Sequence, residues 1–184
     1  MEKVSRDSIV DNATYAARRD DTRPVILALK ATRRIHLGSH LTFLFETTET
    51  MRYQVQEMMR IEHLSREEDI AHELATYNEL LGARGELGCT LLIEIDDPIE
   101  RDIALRRWLD LPQYLYIRCE DGTIARALFD PRQVGTVRLS SVQYLKFACG
   151  QTTPVAIGLD KPGLELETEL TEEQRRALAE DLAR

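Results

Sequence analysis

The sequence predicts an α+β fold, with N-terminal helices packed on a mainly antiparallel sheet and a C-terminal helix. Three observations carry that expectation. Apolar residues recur at helical spacing through most of residues 1–82, whereas from Gly88 onward short apolar, β-branched and aromatic runs take over. Glu120-Asp121-Gly122 separates two of those runs and is the strongest hairpin signal in the chain. The strands do not alternate regularly with helices, which counts against a doubly wound parallel sheet. A length of 184 residues suits one domain, helix-rich over 1–82 and strand-rich over 83–184.

The elements follow in order. Ile9, Val10, Ala13 and Ala17 mark a first helix over 5–19. Asp20-Asp21-Thr22 then offers a cap, and Pro24 suits the first turn of a second helix, which carries Lys30, Arg33 and Arg34 toward its end. Gly38 ends that segment, and Leu41, Phe43 and Phe45 alternate in a strand. A helix over 51–64 follows, with Thr47 and Thr48 available as caps. Ser65-Arg66-Glu67-Glu68 has the pattern of a capping box opening a helix that Gly82 closes. Strands are expected at 89–95, 114–119, 123–129, 136–139, 142–148, 155–157 and 164–169, with a helix from Pro98 to about 109. Thr171-Glu172-Glu173-Gln174 opens the last helix, which places Leu178 and Leu182 on one side.

Composition narrows the classes of function. Apolar residues make up 43% of the chain, enough for a packed core. A net charge of −8 argues against non-specific binding to nucleic acid or anionic membranes. No apolar run approaches the roughly 20 residues of a membrane span, and the first twenty residues are too polar for a secretory signal. A cytoplasmic location is expected. Cys89, Cys119 and Cys149 are widely spaced in apolar segments and read as small buried hydrophobes in a reducing compartment.

Phosphate-loop, dinucleotide, serine-hydrolase and zinc-peptidase motifs are all absent. His36 and His40 lie four residues apart, and in an extended stretch that spacing is roughly 13 Å, too far for one shared ion. Asp69-Ile70-Ala71-His72 has a carboxylate-x-x-His spacing, but it occurs once and His72 faces away from the apolar side.

The anomaly is Glu62. Met51, Val55, Met58 and Met59 form the apolar face of the 51–64 helix, and Glu62 falls within that face. A carboxylate aimed at a core needs a cation, a metal or hydrogen-bond donors, or it stays protonated. Glu73 lies on the inward side of the next helix, where antiparallel pairing would bring the two together. Two readings stand. Glu62 and Glu73, joined by Glu46 or Glu57, share an iron or manganese ion or work as acid and base. Alternatively Arg60, Arg52 or Tyr77 satisfies them in a polar network holding the helix pair together, the reading the sequence favours. Lys30, Arg33 and Arg34 could contact an anion or a partner, and Gln54 and Gln56 could read a partner.

Three stretches carry a family resemblance: Leu29-Lys30-x-x-Arg33-Arg34-Ile35-x-Leu37-Gly38, Leu41-Thr42-Phe43-Leu44-Phe45-Glu46, and Tyr53 through Glu62. With His72-Glu73-Leu74-x-x-Tyr77-Asn78, the chain resembles the bacterial domain-of-unknown-function family 3501 (DUF3501) over nearly its whole length. In that family the acid matching Glu46 is usually followed by Asn-Arg, whereas Thr47-Thr48 stand here, which removes a guanidinium from that corner. Members are encoded near rubrerythrin-like and iron–sulfur proteins, so the resemblance implies a redox or peroxide setting. The functional expectation is a non-enzymatic accessory or regulatory domain that binds a redox partner such as a rubrerythrin-like protein. The alternative is a metal-dependent enzyme built on the buried carboxylate pair.

Overall fold

The computed structural model describes the backbone of residues 1–184 and the side chains of all but Gln133. Helix α1 spans Asn12–Ala31, capped by the Asp11 side chain, which accepts from the Thr14 N–H. One helix therefore replaces the two expected, and Pro24 lies inside it. Pro24 has no N–H to donate to the fourth residue before it, but Asp20 is exposed, so water can reach the freed carbonyl.

Of the basic cluster, Lys30 lies in the last turn of α1 as expected, Arg33 in the turn that follows, and Arg34 opens a strand. β1 (Arg34–Leu37) turns at Gly38 into β2 (Leu41–Phe45), and Ile35 and Leu37 are buried on its inner side. Helix α2 (Thr48–Ile61) starts from a capping box in which the Thr47 and Thr50 side chains bond each other's backbone N–H. Helix α3 (Glu67–Asn78) has no such box: Arg66 stands at its N-cap with no side-chain capping bond, its guanidinium donating instead to Asp69.

Seven further elements complete the chain: β3 (Glu86–Ile93), α4 (Pro98–Arg107), β4 (Leu115–Cys119), β5 (Ile124–Leu128), β6 (Val142–Ala148), β7 (Pro154–Lys161) and β8 (Leu164–Glu169), before the final helix. That helix, α5 (Glu172–Ala183), forms the expected Thr171/Gln174 capping box. The expected strand at 136–139 does not form. Leu139 is instead buried as an anchor, its N–H donating to the Leu105 carbonyl at the end of α4.

The eight strands form one sheet in the order β1-β2-β3-β6-β5-β4-β7-β8, each neighbouring pair antiparallel. The sheet curls until its two edges meet. A Cβ on Gly38 would stand 2.9 Å from Leu166 of β8, and Gln174 Nε2 donates to the Arg34 carbonyl at 3.0 Å. The result is mixed helix and sheet, as expected, but the sheet is barrel-like and α4 breaks the division into a helical half and a strand half.

Inside the barrel lie Phe43, Phe45, Leu91, Ile117, Phe147 and Ile157, all essentially inaccessible. Helix α5 touches β3 and β7, which are not neighbours in the sheet, and its Leu178 and Leu182 join the same core. A second cluster joins the N-terminal segment (Val4, Ile9), α2 (Met51, Val55, Met59) and α3 (Ile70, Leu74). Among the described residues, no helix is long and apolar enough to cross a membrane.

Candidate functional site

Alternation along β2 sends Phe43 and Phe45 inward and Thr42 and Leu44 to the outer face of the barrel. Glu46 follows immediately. Its N–H donates to the Gly88 carbonyl at 2.9 Å, extending the ladder by one residue and keeping the side chain on that outer face. Gly88 has no side chain for a reason: a Cβ there would lie 1.9 Å from the Leu80 carbonyl oxygen. The turn after α3, at Leu80, therefore packs directly on β3, and Leu80 lines the same space as Glu46.

Glu46 is 5% exposed. One carboxylate oxygen accepts from the Thr90 hydroxyl at 2.8 Å, the other from the Thr50 hydroxyl at 2.7 Å. Burial pushes its carboxyl above the ordinary range, opposed by the two hydroxyls and, through space, by Lys30. Above it opens a cavity of about 170 Å³, whose polar wall holds Lys30, Gln54, Tyr77 and Tyr144. Leu44, Met51, Leu80 and Leu92 supply the apolar wall.

A second recess, of about 280 Å³, shares Leu80 and Tyr144 with the first and runs on to Leu128, Phe129 and Lys146. Strand register explains the continuity. Leu44, Thr90 and Tyr144 form one cross-strand row, and Thr42, Leu92 and Val142 form the next. Tyr144 is 39% exposed, Val142 37% and Leu128 52%, so this sheet face presents large apolar groups to solvent.

Residues 3–182 match the family described as a protein of unknown function, DUF3501. The chain belongs to that family. A crystal structure described as a novel protein of unknown function from Burkholderia pseudomallei K96243 is 28% identical to this DUF3501 chain. It superposes with a TM-score of 0.90, covering 98% of this chain and 100% of the other. No curated protein matches the sequence.

The residues singled out from the sequence of this DUF3501 member are dispersed. Glu62 is not on the buried face. Helix α2 ends at Ile61, Glu62 is its exposed C-cap, and His63 follows with φ 55°, so the helical phase that aimed Glu62 inward has already stopped. Glu73 is half-buried, and its carboxyl is raised by burial and then by the neighbouring Glu62 charge. The Glu62 charge therefore acts on Glu73 through space, at the surface.

Glu57 sits elsewhere, fixing α1 to α2. Its carboxylate accepts from Arg19 at 2.7 and 3.0 Å, from Tyr15 at 2.8 Å and from Arg60 at 3.2 Å, and the Arg19 bonds above all pull it down to about 2. Arg60 is thus committed to Glu57, and Arg52 is exposed beside α1, so neither satisfies Glu62 or Glu73. Among the described residues, no three His, Cys, Asp or Glu side chains are grouped to hold a metal ion.

Two expected contact residues are structural instead. Arg33 is buried and forks onto Asp181 at 2.7 and 3.0 Å, leaving no guanidinium free for an anion. Gln56 is buried and pins the N-terminal segment, accepting from the Val10 N–H at 2.8 Å and donating to the Val10 carbonyl at 3.1 Å. Arg34 is exposed on β1, away from the cavity. Lys30, Gln54, Tyr77 and Glu46 do meet around one space, with Lys30 5.6 Å above the Tyr53 ring.

The sequence reading missed Thr50, Thr90 and Tyr144. Thr50 had a local signal, being four residues after Glu46, but Thr90 and Tyr144 reach the site only through strand register. It also missed a short relay on the same face, where the buried Thr42 hydroxyl bonds His36 Nδ1 at 2.9 Å and the Glu94 carboxylate at 2.5 Å.

Proposed function

We propose that this protein is a non-enzymatic accessory or regulatory domain that binds a partner protein in a redox or peroxide-stress setting, with a rubrerythrin-like protein as the partner class. The observation that carries the binding role is the outer sheet face at Leu128, Val142 and Tyr144, running into the recess above Glu46. Exposed aromatic and aliphatic groups beside a preformed concavity are what protein interfaces use as anchors. The carboxylate of the recess is already bonded, Glu46 to two threonines, with the Gln54 amide and Tyr77 phenol beside it, so the recess offers shape and hydrogen bonding rather than an activated nucleophile. The redox setting is what the resemblance to the DUF3501 family implies, and it is part of the proposal.

Titration of the purified rubrerythrin-like protein of the same organism, read by calorimetry, tests this. Binding is expected, weakened about tenfold or more by Tyr144→Ala and by Gln54→Ala, the scale of an interface anchor, with melting temperatures unchanged. Absence of binding, or equal binding by both variants, overturns the reading.

A second reading, an iron- or manganese-dependent enzyme, has the Glu62–Glu73 proximity in its favour, because two repelling carboxylates can be relieved by sharing a cation. Elemental analysis after anaerobic, metal-supplemented expression decides it: stoichiometric metal lost on Glu73→Gln supports the site, and no metal excludes it.

A further inference from the structure

Cys119 and Cys149 come from separate parts of the sheet. Cys119 ends β4 and Cys149 directly follows β6, two strands separated in the sheet by β5. β5 does not fill the space between them. Its registered ladder with β6 consists of two pairs, Ala127 with Phe147 and Leu128 with Lys146, and pairing stops before Cys149 is reached. Beyond that point the β4–β5 turn leans directly on the β6–β7 turn: the Glu120 N–H donates to the Thr153 carbonyl at 2.9 Å, and the Thr152 hydroxyl donates to Asp121 at 3.3 Å. These bonds hold the two cysteines near one another in the same core, 1% and 4% exposed. Both are free thiols.

We propose that Cys119 and Cys149 form a dithiol site that hydrogen peroxide oxidises to an intramolecular disulfide, bolting β4 to β6 across the short β5 seam. The Cys119 thiolate attacks one peroxide oxygen, the O–O bond breaks, and Cys119 sulfenic acid and hydroxide result. The Cys149 sulfur then attacks the Cys119 sulfur, the S–S bond forms, and the sulfenic hydroxide leaves. The two thiol protons convert both hydroxides to water. Two thiols have then lost two electrons, and one peroxide has become two waters.

The order of attack follows from the surroundings. Burial raises both thiols, and Asp121 and Glu120 add to it at Cys119, but the neighbouring Cys149 thiol works the other way and favours the Cys119 thiolate. Oxidation is therefore slow at neutral pH and quickens as pH rises. Cys89 is the internal comparison, fully buried beside Glu46 on β3. The site does not depend on whether a partner protein docks on the Tyr144 face.

The test is peroxide treatment of the folded wild-type protein, quenching with catalase, alkylation in denaturant, and peptide mapping by mass spectrometry. Expected is loss of two of the three alkylatable thiols, recovery of a Cys119–Cys149 cross-linked peptide, reversal by dithiothreitol, and retention of Cys89 as a thiol. The oxidised form should melt about 5–10 °C higher, from closure of a long loop. Cys89→Ser should still cross-link, whereas Cys119→Ser and Cys149→Ser should not. Three thiols surviving a peroxide dose that oxidises the denatured chain, or a cross-link that includes Cys89, overturns the proposal. The wild-type map stands even where a serine variant fails to fold.

Discussion

Glu46 is the residue whose chemistry most departs from the ordinary. It is buried against two hydroxyls, and its nearest cation acts through space. A carboxyl raised on folding binds its proton more tightly in the native state than in the unfolded chain. Its favourable contribution is thus complete below the ordinary value of 4.5 and is lost as pH rises through the raised native value. A glutamine in its place would mimic the neutral form at every pH, and the threonine hydroxyls can rotate to suit the amide. Glu46→Gln should therefore match wild type below about pH 4.5 and become the more stable protein as pH rises, by about 1.4 kcal/mol for each unit of elevation. Thermal melts from pH 4 to 8 check this, and a variant that loses stability relative to wild type at pH 8 would show that the carboxylate is charged and satisfied. The sequence marked Glu46 only as a possible companion to Glu62. The burial that matters at Glu46 is made by β3 and the turn after α3, which no local periodicity reveals.

At the scale of elements, α2 separates two nearby glutamines by role. Gln54 faces the recess with Tyr77, whereas Gln56 is turned into the joint between α2 and the N-terminal segment, where its amide satisfies both backbone groups of Val10. The sequence allowed either glutamine to face a partner because the apolar stripe of α2 fixes only which positions meet the core, not what the flanks meet. Removing Gln56 leaves a donor and an acceptor of Val10 without partners, which costs about 1–3 kcal/mol for each buried group left unsatisfied. Gln56→Ala should lower stability by that order, with the loss concentrated in faster amide exchange of Ile9 and Val10, while Gln54→Ala leaves exchange there unchanged. Equal protection in both variants would contradict the assigned roles. Helix α2 itself was legible, from Thr47 to the end of the Met51, Val55 and Met59 stripe. Its last turn was not: extending the period to Leu64 put Glu62 inside the protein, and the positive φ at His63 shows where the chain had already left the helix.

At the scale of the whole molecule, the strand runs and the Asp121-Gly122 hairpin could be read, but closure of the sheet could not. Half-buried strands such as β6, with Gln143, Leu145 and Phe147 inward and Val142 and Tyr144 outward, alternate visibly. β1 was hidden because a basic run after a helix matches the favourable end of a helix dipole equally well. The partner of that basic run lies at the other end of the chain. Arg33 and Asp181 are 148 residues apart and form a buried, two-pronged ion pair that fixes α5 to the α1–β1 corner, beside the seam where β1 meets β8. Pattern at either end gives no hint of it, because each residue alone is an ordinary charge on an amphipathic segment. Such a pair specifies which ends meet more than it stabilises their meeting, since both charges lose their hydration. Arg33→Met alone strands the Asp181 carboxylate and should cost about 3–5 kcal/mol. Arg33→Met with Asp181→Leu should recover most or all of that loss, because well-packed apolar groups replace a buried pair at little cost. Denaturant unfolding of the two single variants and the double variant measures the coupling directly. Additive losses in the double variant would mean that the pair acts independently at each end, and that the closing of the barrel rests on the β1–β8 contact and the Gln174 bond to Arg34 instead.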